Sequence, residues 1–225
     1  MLGTIPVSEA LGLLSNEVIL RDLGDTNTVH DALSVKRTSP HYQDLLNDIR
    51  QRGITTPVHI RTSPHGRFLV EGHHRITAAY DVDLTHIPWT DDASLADRIE
   101  QMQWKLTIGT ITPTAVEAFT HAACGGLAVA VHDVTGWPIV EVGHCDGLPL
   151  HFMVRGPDGG LVDIRGTRTD DDVRDEWEFD ADDEIVTLAE VTRGAALECY
   201  LVDCGEPVPM EVVHTFAPAV VALAV

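Results

Sequence analysis

The sequence predicts a mixed α/β (α+β) protein of two domains, and three observations carry that prediction. Short apolar runs with strand-like alternation are interleaved with stretches in which apolar residues recur at helical spacing, so both periods are present. The length, 225 residues, accommodates one large domain or two small ones, either of them able to bury a core. The composition breaks at Thr107-Ile108-Gly109-Thr110-Ile111-Thr112-Pro113-Thr114, a run of Thr, Gly and Pro without a helical stripe. These place a first domain at residues 1–106, a linker at 107–114 and a second domain at 115–225. No internal repeat relates the halves.

In the first half, Thr4-Ile5-Pro6-Val7 reads as a short strand, followed by the apolar positions Leu13, Leu14, Val18, Ile19 and Leu20. Residues 24–40 are polar and read as loop. Ser39-Pro40 reads as a helix start, Ser as N-cap and Pro at the first helical position. Tyr42, Leu45, Leu46 and Ile49 form one apolar stripe, and Gly53 stands where a left-handed cap would end the helix. Val58 and Ile60, a Ser63-Pro64-His65-Gly66 turn and Phe68-Leu69-Val70 read as a hairpin. Ser94-Leu95-Ala96-Asp97 has the Ser-x-x-Asp form of a helix start, with Leu95, Ile99, Met102 and Leu106 as its core-facing stripe.

Between the hairpin and that last helix lies Glu71-Gly72-His73-His74-Arg75, then Ile76-Thr77-Ala78-Ala79-Tyr80. A strand, a glycine turn and a basic helix start together form an anion-binding device. The first N–H groups of a helix lack internal partners, and the helix dipole adds partial positive charge there. Gly72 permits a sharp turn and a close approach of ligand, and Arg75 adds a fork able to grip a phosphate through two hydrogen bonds.

Gly72-His73-His74-Arg75 followed by Ala78 resembles the signature box of the ParB/sulfiredoxin superfamily. The segment His41–Arg50 resembles that family's first helix, Gly53-Ile54-Thr55-Thr56-Pro57-Val58 its entry into a strand, and Thr85-His86-Ile87-Pro88-Trp89 its closing strand. The resemblance covers about the first hundred residues. It implies a ParB/sulfiredoxin-like domain that binds a nucleotide or phosphate, with magnesium as a companion cofactor, and that hydrolyses a nucleotide or a phosphodiester. Gly72, His73, His74 and Arg75 would form the phosphate grip, and Glu71 would be a base or metal ligand. His73 stands where sulfiredoxins carry their catalytic cysteine, which argues against sulfinic-acid repair. The Asn-rich nucleotide box and helix-turn-helix of chromosome-partitioning members are not found.

The formal net charge of −20 bounds the partners. Polyanion binding depends on Lys and Arg neutralising phosphates, so strong non-specific DNA binding is not expected. No apolar run reaches the length of a membrane span, and the N-terminus lacks the pattern of a signal peptide, so no membrane association is expected. Cys124, Cys145, Cys199 and Cys204 include no C-x-x-C pair, which fits reduced thiols and a cytoplasmic location.

In the second half, Gly125–Thr135 carries the stripe Leu127, Ala130, Val131 and Val134, and Gly136-Trp137-Pro138 stops it. Pro138–Val142 and the alternating Leu150–Val154 read as strands, Gly156-Pro157-Asp158-Gly159 as a turn and Leu161–Ile164 as the returning strand. The acidic run 170–184, with Trp177 and Phe179, reads as a solvated face, and it lacks EF-hand ligand spacing. Ala195–Tyr200 and Pro218–Ala224 are apolar enough to close a core.

Cys124 stands at a helix start, a position that lowers a thiol's pKa. His151 and Asp163 lie mid-strand, each alternating with apolar neighbours. A turn centred near Pro157-Asp158 brings the two together across the strands, and a later centre slips them apart. The order of Cys on a helix, His on a strand and Asp on the next strand resembles papain-like and transglutaminase-like enzymes. It implies a papain-like α+β domain acting as a cysteine hydrolase or amide-transferring enzyme, with Cys124 as nucleophile, His151 as base and Asp163 as orienting group. The set His144, Cys145, Cys199 and Cys204 lacks the paired spacing of structural zinc sites, so no metal is assigned to it. The other histidines, among them His30, His59, His65, His86, His121, His132 and His214, stand alone. A third reading makes the chain a non-catalytic interaction protein whose acidic surface meets a basic partner.

Overall fold

The computed structural model describes residues 1–15, 27–64, 66–144, 149–177, 186–203 and 208–224. The chain divides into two compact units, Met1–Gln101 and Met102–Val225. Helices and mixed strands in two sheets make it an α+β protein.

The first unit runs β1 (Leu2–Pro6), α1 (Val7–Leu11), β2 (Leu14–Ser15), a 3₁₀ turn (Val29–Ala32), α2 (Leu33–Arg37), α3 (Tyr42–Arg52), β3 (Val58–Ser63), β4 (Gly66–Glu71), α4 (His73–Asp81), β5 (His86–Thr90) and α5 (Ala93–Gln101). Its sheet order is β1-β5-β3-β4-β2. The β3–β4 hairpin is antiparallel, whereas β3 pairs with β5 in parallel. Ile5, Val58, Ile60, Leu69 and Ile87 from the strands pack with Tyr42, Leu46, Ile49, Ile76 and Ala79 from the helices.

Several local expectations change here. From Asn27 onward the expected loop contains the 3₁₀ turn and α2, because Thr28 and Asp31 cap each other reciprocally. Val29 and Leu33 then drop into the core, a short-range device that apolar periodicity does not report. Helix α3 begins at Tyr42 instead of Pro40: the Tyr42 N–H donates to Ser39 O at 3.0 Å, so Ser39-Pro40 forms a turn ahead of the helix. Gly53 has φ 71° but ψ −166°, so the chain leaves α3 extended, outside the left-handed helical region. Helix α5 is capped by Asp92, whose Oδ1 accepts from the Ser94 N–H at 2.9 Å, so Ser94 is inside the cap. Met102 and Leu106 lie beyond the end of α5. Positions Val18, Ile19, Leu20 and His65 lie outside the described residues.

The second unit runs α6 (Pro113–His121), α7 (Cys124–Thr135), β6 (Ile139–His144), β7 (Pro149–Arg155), β8 (Leu161–Asp163), β9 (Gly166–Arg168), α8 (Asp170–Trp177), β10 (Val186–Val191), α9 (Arg193–Asp203), α10 (Met210–Val213) and α11 (Ala217–Ala222). Its antiparallel sheet has the order β10-β6-β7-β8-β9. Thr112 caps α6 by accepting from the Ala115 N–H, with Pro113 at the first helical position, so the end of the expected linker is a helix start.

Helix α7 lies against one sheet face and against α9. A Cβ added at Gly126 would stand 2.8 Å from the Tyr200 ring, and one at Gly125 would stand 3.5 Å from Phe152 Cδ2. These two glycines let a helix, a strand and an aromatic side chain converge where Cys124 begins the helix. Val134 is 58% exposed, so the α7 stripe ends at Val131. The acidic run is partly structured: α8 buries Val173 among Val140, Val142, Met153 and Leu161, on the other sheet face. Phe179 and the rest of the run to 184 lie outside the described residues. Among the described residues no single helix is long and apolar enough to cross a membrane.

Candidate active site

The hairpin of β7 and β8 turns through Gly156–Gly160, closed by the Gly156 N–H to Gly160 O bond at 2.8 Å. Val154 faces Val162 and Arg155 faces Leu161. Side chains alternate along a strand, so His151, Met153 and Arg155 share a face with Leu161 and Asp163. His151 and Asp163 are therefore diagonal neighbours on that face, and His151 Nε2 lies 3.0 Å from Asp163 Oδ2. His151 is fully buried and Asp163 nearly so.

Asp163 is the hub of a charged network. Oδ1 accepts the Arg165 N–H at 2.8 Å, and Oδ2 accepts from Arg165 Nη2 at 2.7 Å and Arg168 Nη2 at 3.1 Å. Glu176 on α8 bonds to both guanidinium groups from the other side. Burial pushes the Asp163 carboxyl up, but the hydrogen bonds from His151 and Arg165 hold it well below the carboxylate range. A permanent anion there accepts from Nε2 and leaves the second ring nitrogen, Nδ1, for a further partner. Nδ1 is buried and makes no hydrogen bond of ordinary geometry among the described residues.

The Cys124 side chain interacts with this same imidazole. The Arg155 N–H points to Pro138 O, on the β6 side of β7. By alternation the Phe152 N–H points to the opposite side, past the end of the β7–β8 ladder. This N–H and that of Gly125 face the Cys124 sulfur. Cys124 is half-buried. Burial raises its pKa, but the His151 side chain and the Phe152 and Gly125 amides overcome that and lower it below the ordinary thiol value. The reciprocal effect holds at His151: burial lowers its pKa, and the Asp163 carboxylate together with the neighbouring Cys124 thiol carries it above the ordinary imidazole value. Both shifts run in the direction that favours a thiolate–imidazolium pair beside the carboxylate.

Trp177, at the end of α8, stacks on His151 with ring centroids 5.4 Å apart and planes 19° off parallel. Arg165, Arg168, Glu176 and Trp177 were not legible as functional positions in the sequence. The available signal was Asp163-x-Arg165, which puts a cation beside the carboxylate.

The box of the first unit is built differently. Gly72 has φ 114°, and a Cβ there would lie 2.6 Å from Val58 Cγ1. The space over Gly72 is thus filled by Val58, and the glycine is required for packing where ligand approach was expected. His73 is turned inward, with Nε2 2.9 Å from Ser15 Oγ. Arg75 is mostly buried, 3.6 Å from Glu71, whose own side chain is exposed. Burial lowers the Arg75 pKa and Glu71 opposes that shift. No side chain caps α4.

Among the described residues no cluster of three or more His, Cys, Asp or Glu is arranged to hold a metal ion. Cys145 and Cys204 lie outside the described residues, and Cys199 is half-buried on α9. Comparison of the chain with protein-family models, with curated proteins and with solved structures finds no match.

Proposed function

We propose that the second unit is a cysteine-dependent acyl-transfer enzyme that cleaves or transfers amides or esters. The observation that supports this reading is the coupled Cys124–His151–Asp163 set, in which a half-buried thiol has its pKa lowered by an imidazole anchored 3.0 Å from a buried carboxylate. In the forward step the Cys124 thiolate attacks the substrate carbonyl, forming a C–S bond and a tetrahedral oxyanion. The intermediate collapses as the bond to the leaving group breaks, and the His151 imidazolium gives its Nδ1 proton to that group. Water or an amine then attacks the thioester, His151 takes the proton, and the thiolate leaves. Asp163 keeps the imidazole oriented and stabilises its charged form.

p-Nitrophenyl acetate tests this. The intact chain is expected to release a burst of nitrophenolate stoichiometric with protein and to carry an acetyl group on Cys124 by mass spectrometry. Cys124→Ser is expected to show no burst. No acetylation of Cys124 in the intact chain would sink the reading and favour the interaction-protein alternative.

A second reading concerns the first unit, and it rests on the ParB-like resemblance together with the uncapped start of α4 beside the Arg75 side chain. There the backbone N–H groups of the Gly72-His73-His74-Arg75 turn, with the Arg75 side chain, bind a phosphate or nucleotide, with or without magnesium, and Glu71 is a base or metal ligand for hydrolysis. Calorimetry is expected to detect binding, and Arg75→Ala is expected to weaken it by roughly 1.5–3 kcal/mol, the range for a hydrogen bond to a charged group. Absence of heat with any nucleoside triphosphate, diphosphate or free phosphate would remove this reading.

A further inference from the structure

Within the second unit, a groove of about 580 Å³ runs between α6 and α8 beside the triad. Ile111, Pro113, Val116, Glu117, Thr120 and Trp177 supply the part of its lining that decides its chemistry. Neither Cys124 nor His151 lines it, but it reaches His151 and Asp163 through a neighbour, and one of its walls leads along the chain to Cys124. Trp177 stacks on His151, Arg165 in the lining holds Asp163, and α6 ends at His121 just before Cys124.

The lining has three chemical features. Ile111, Pro113, Val116 and the Trp177 ring make it apolar along its length. The Thr120 hydroxyl, on a residue only 7% exposed, and the Trp177 Nε1–H are buried and have no hydrogen-bond partner among the described residues. An orphaned donor of this kind is costly unless an occupant supplies an acceptor. The charge, with histidine counted as neutral, is two carboxylates against one guanidinium. Arg165 is already neutralised by Asp163 and Glu176, and Glu176 by Arg165 and Arg168. The charge left over is Glu117, which is exposed and has no ion-pair partner among the described residues.

We infer that this groove is a substrate subsite for a basic peptide segment. The apolar walls take the stem of a lysine-like or arginine-like side chain, Glu117 meets its cationic head, and the Thr120 and Trp177 donors meet a peptide carbonyl oxygen. The volume, about 580 Å³, lies in the range of pockets that hold small ligands, and a single long side chain with its peptide group is of that size. The inference rests on the cysteine reading of the triad.

Three methanethiosulfonates test it without a known substrate: the neutral methyl reagent, the cationic 2-aminoethyl reagent and the anionic 2-sulfonatoethyl reagent. In each the Cys124 thiolate attacks the sulfenyl sulfur, a disulfide forms and methanesulfinate leaves. Rates are read per cysteine by mass spectrometry, with Cys199 of the same chain as internal reference for the effect of net charge. The cation-to-anion rate ratio at Cys124 is expected to exceed that at Cys199 about tenfold, the low end of the range by which local charge raises the encounter rate of an oppositely charged reactant. Glu117→Gln is expected to bring the ratio down to that of Cys199. Silence of Cys124 toward the neutral reagent overturns the cysteine reading and the inference with it. Prompt neutral reaction with equal ratios at Cys124 and Cys199 overturns the basic-segment inference alone. An elevated ratio that survives Glu117→Gln overturns the assignment to this groove.

Discussion

Replacing His151 by Ala is expected to slow iodoacetamide alkylation of Cys124 at pH 7, by about tenfold for each unit that the thiol pKa rises above 7. The sign follows from what remains after the substitution. Burial raises the Cys124 pKa, and in the intact protein the imidazole and two backbone amides reverse that. Removing the ring leaves burial and the amides, so the inflection of rate against pH moves up, toward or past the ordinary thiol value. In the intact chain the inflection is expected below that value. A profile in which the intact chain and His151→Ala share one inflection would sink the thiolate–imidazolium pair. The loss of the Trp177 stack is a separate matter, and near-ultraviolet circular dichroism of the indole reports it.

Asp163→Ala is expected to lower the unfolding free energy of the second unit by about 3 kcal/mol, the low end for breaking a buried ion pair from one side. Its carboxylate is 3% exposed and accepts from Arg165, Arg168 and His151, so its removal leaves two guanidinium groups and an imidazole facing one another. Glu176 limits the damage, because it still bonds to both arginines. The pH dependence separates this electrostatic cause from simple loss of packing. The folded pKa of Asp163 is depressed, so its contribution is fully present above the unfolded value of about 4 and is lost as pH falls through the folded value. The variant lacks that contribution at every pH, so the gap between the two stability curves is expected to narrow below about pH 4. Parallel curves across that range, from urea unfolding followed by tryptophan fluorescence, would mean that the carboxylate is not the source of the stability.

The sequence by itself determined the mixed class, the hairpin of Val58–Val70, the helix that begins at Cys124 and the chemical identity of the three residues of the proposed site. These are local matters. Apolar spacing reports which face of an element is buried, Gly-Pro-Asp chemistry reports a turn, and a cysteine at a helix start stands out from its neighbours. Where short-range hydrogen bonds compete with periodicity the reading slipped, as at the Thr28–Asp31 cap and at Asp92, which displaced Ser94 as the helix cap.

The tertiary structure decided what alternation alone leaves open. A strand's side-chain period is two, so His151 and Asp163 share a face only if the hairpin register is right, and the register depends on how the Gly156–Gly160 turn closes. The roles of Glu176 and Trp177 depend on α8 folding back over the sheet through Val173, a contact of long sequence separation. Gly72 shows the same limit from the other side. A glycine before a helix reads as an opening for a ligand, but Val58 fills the space above it. Nothing within a few residues of Gly72 reports Val58, because the strands bring the two together only once the sheet has formed.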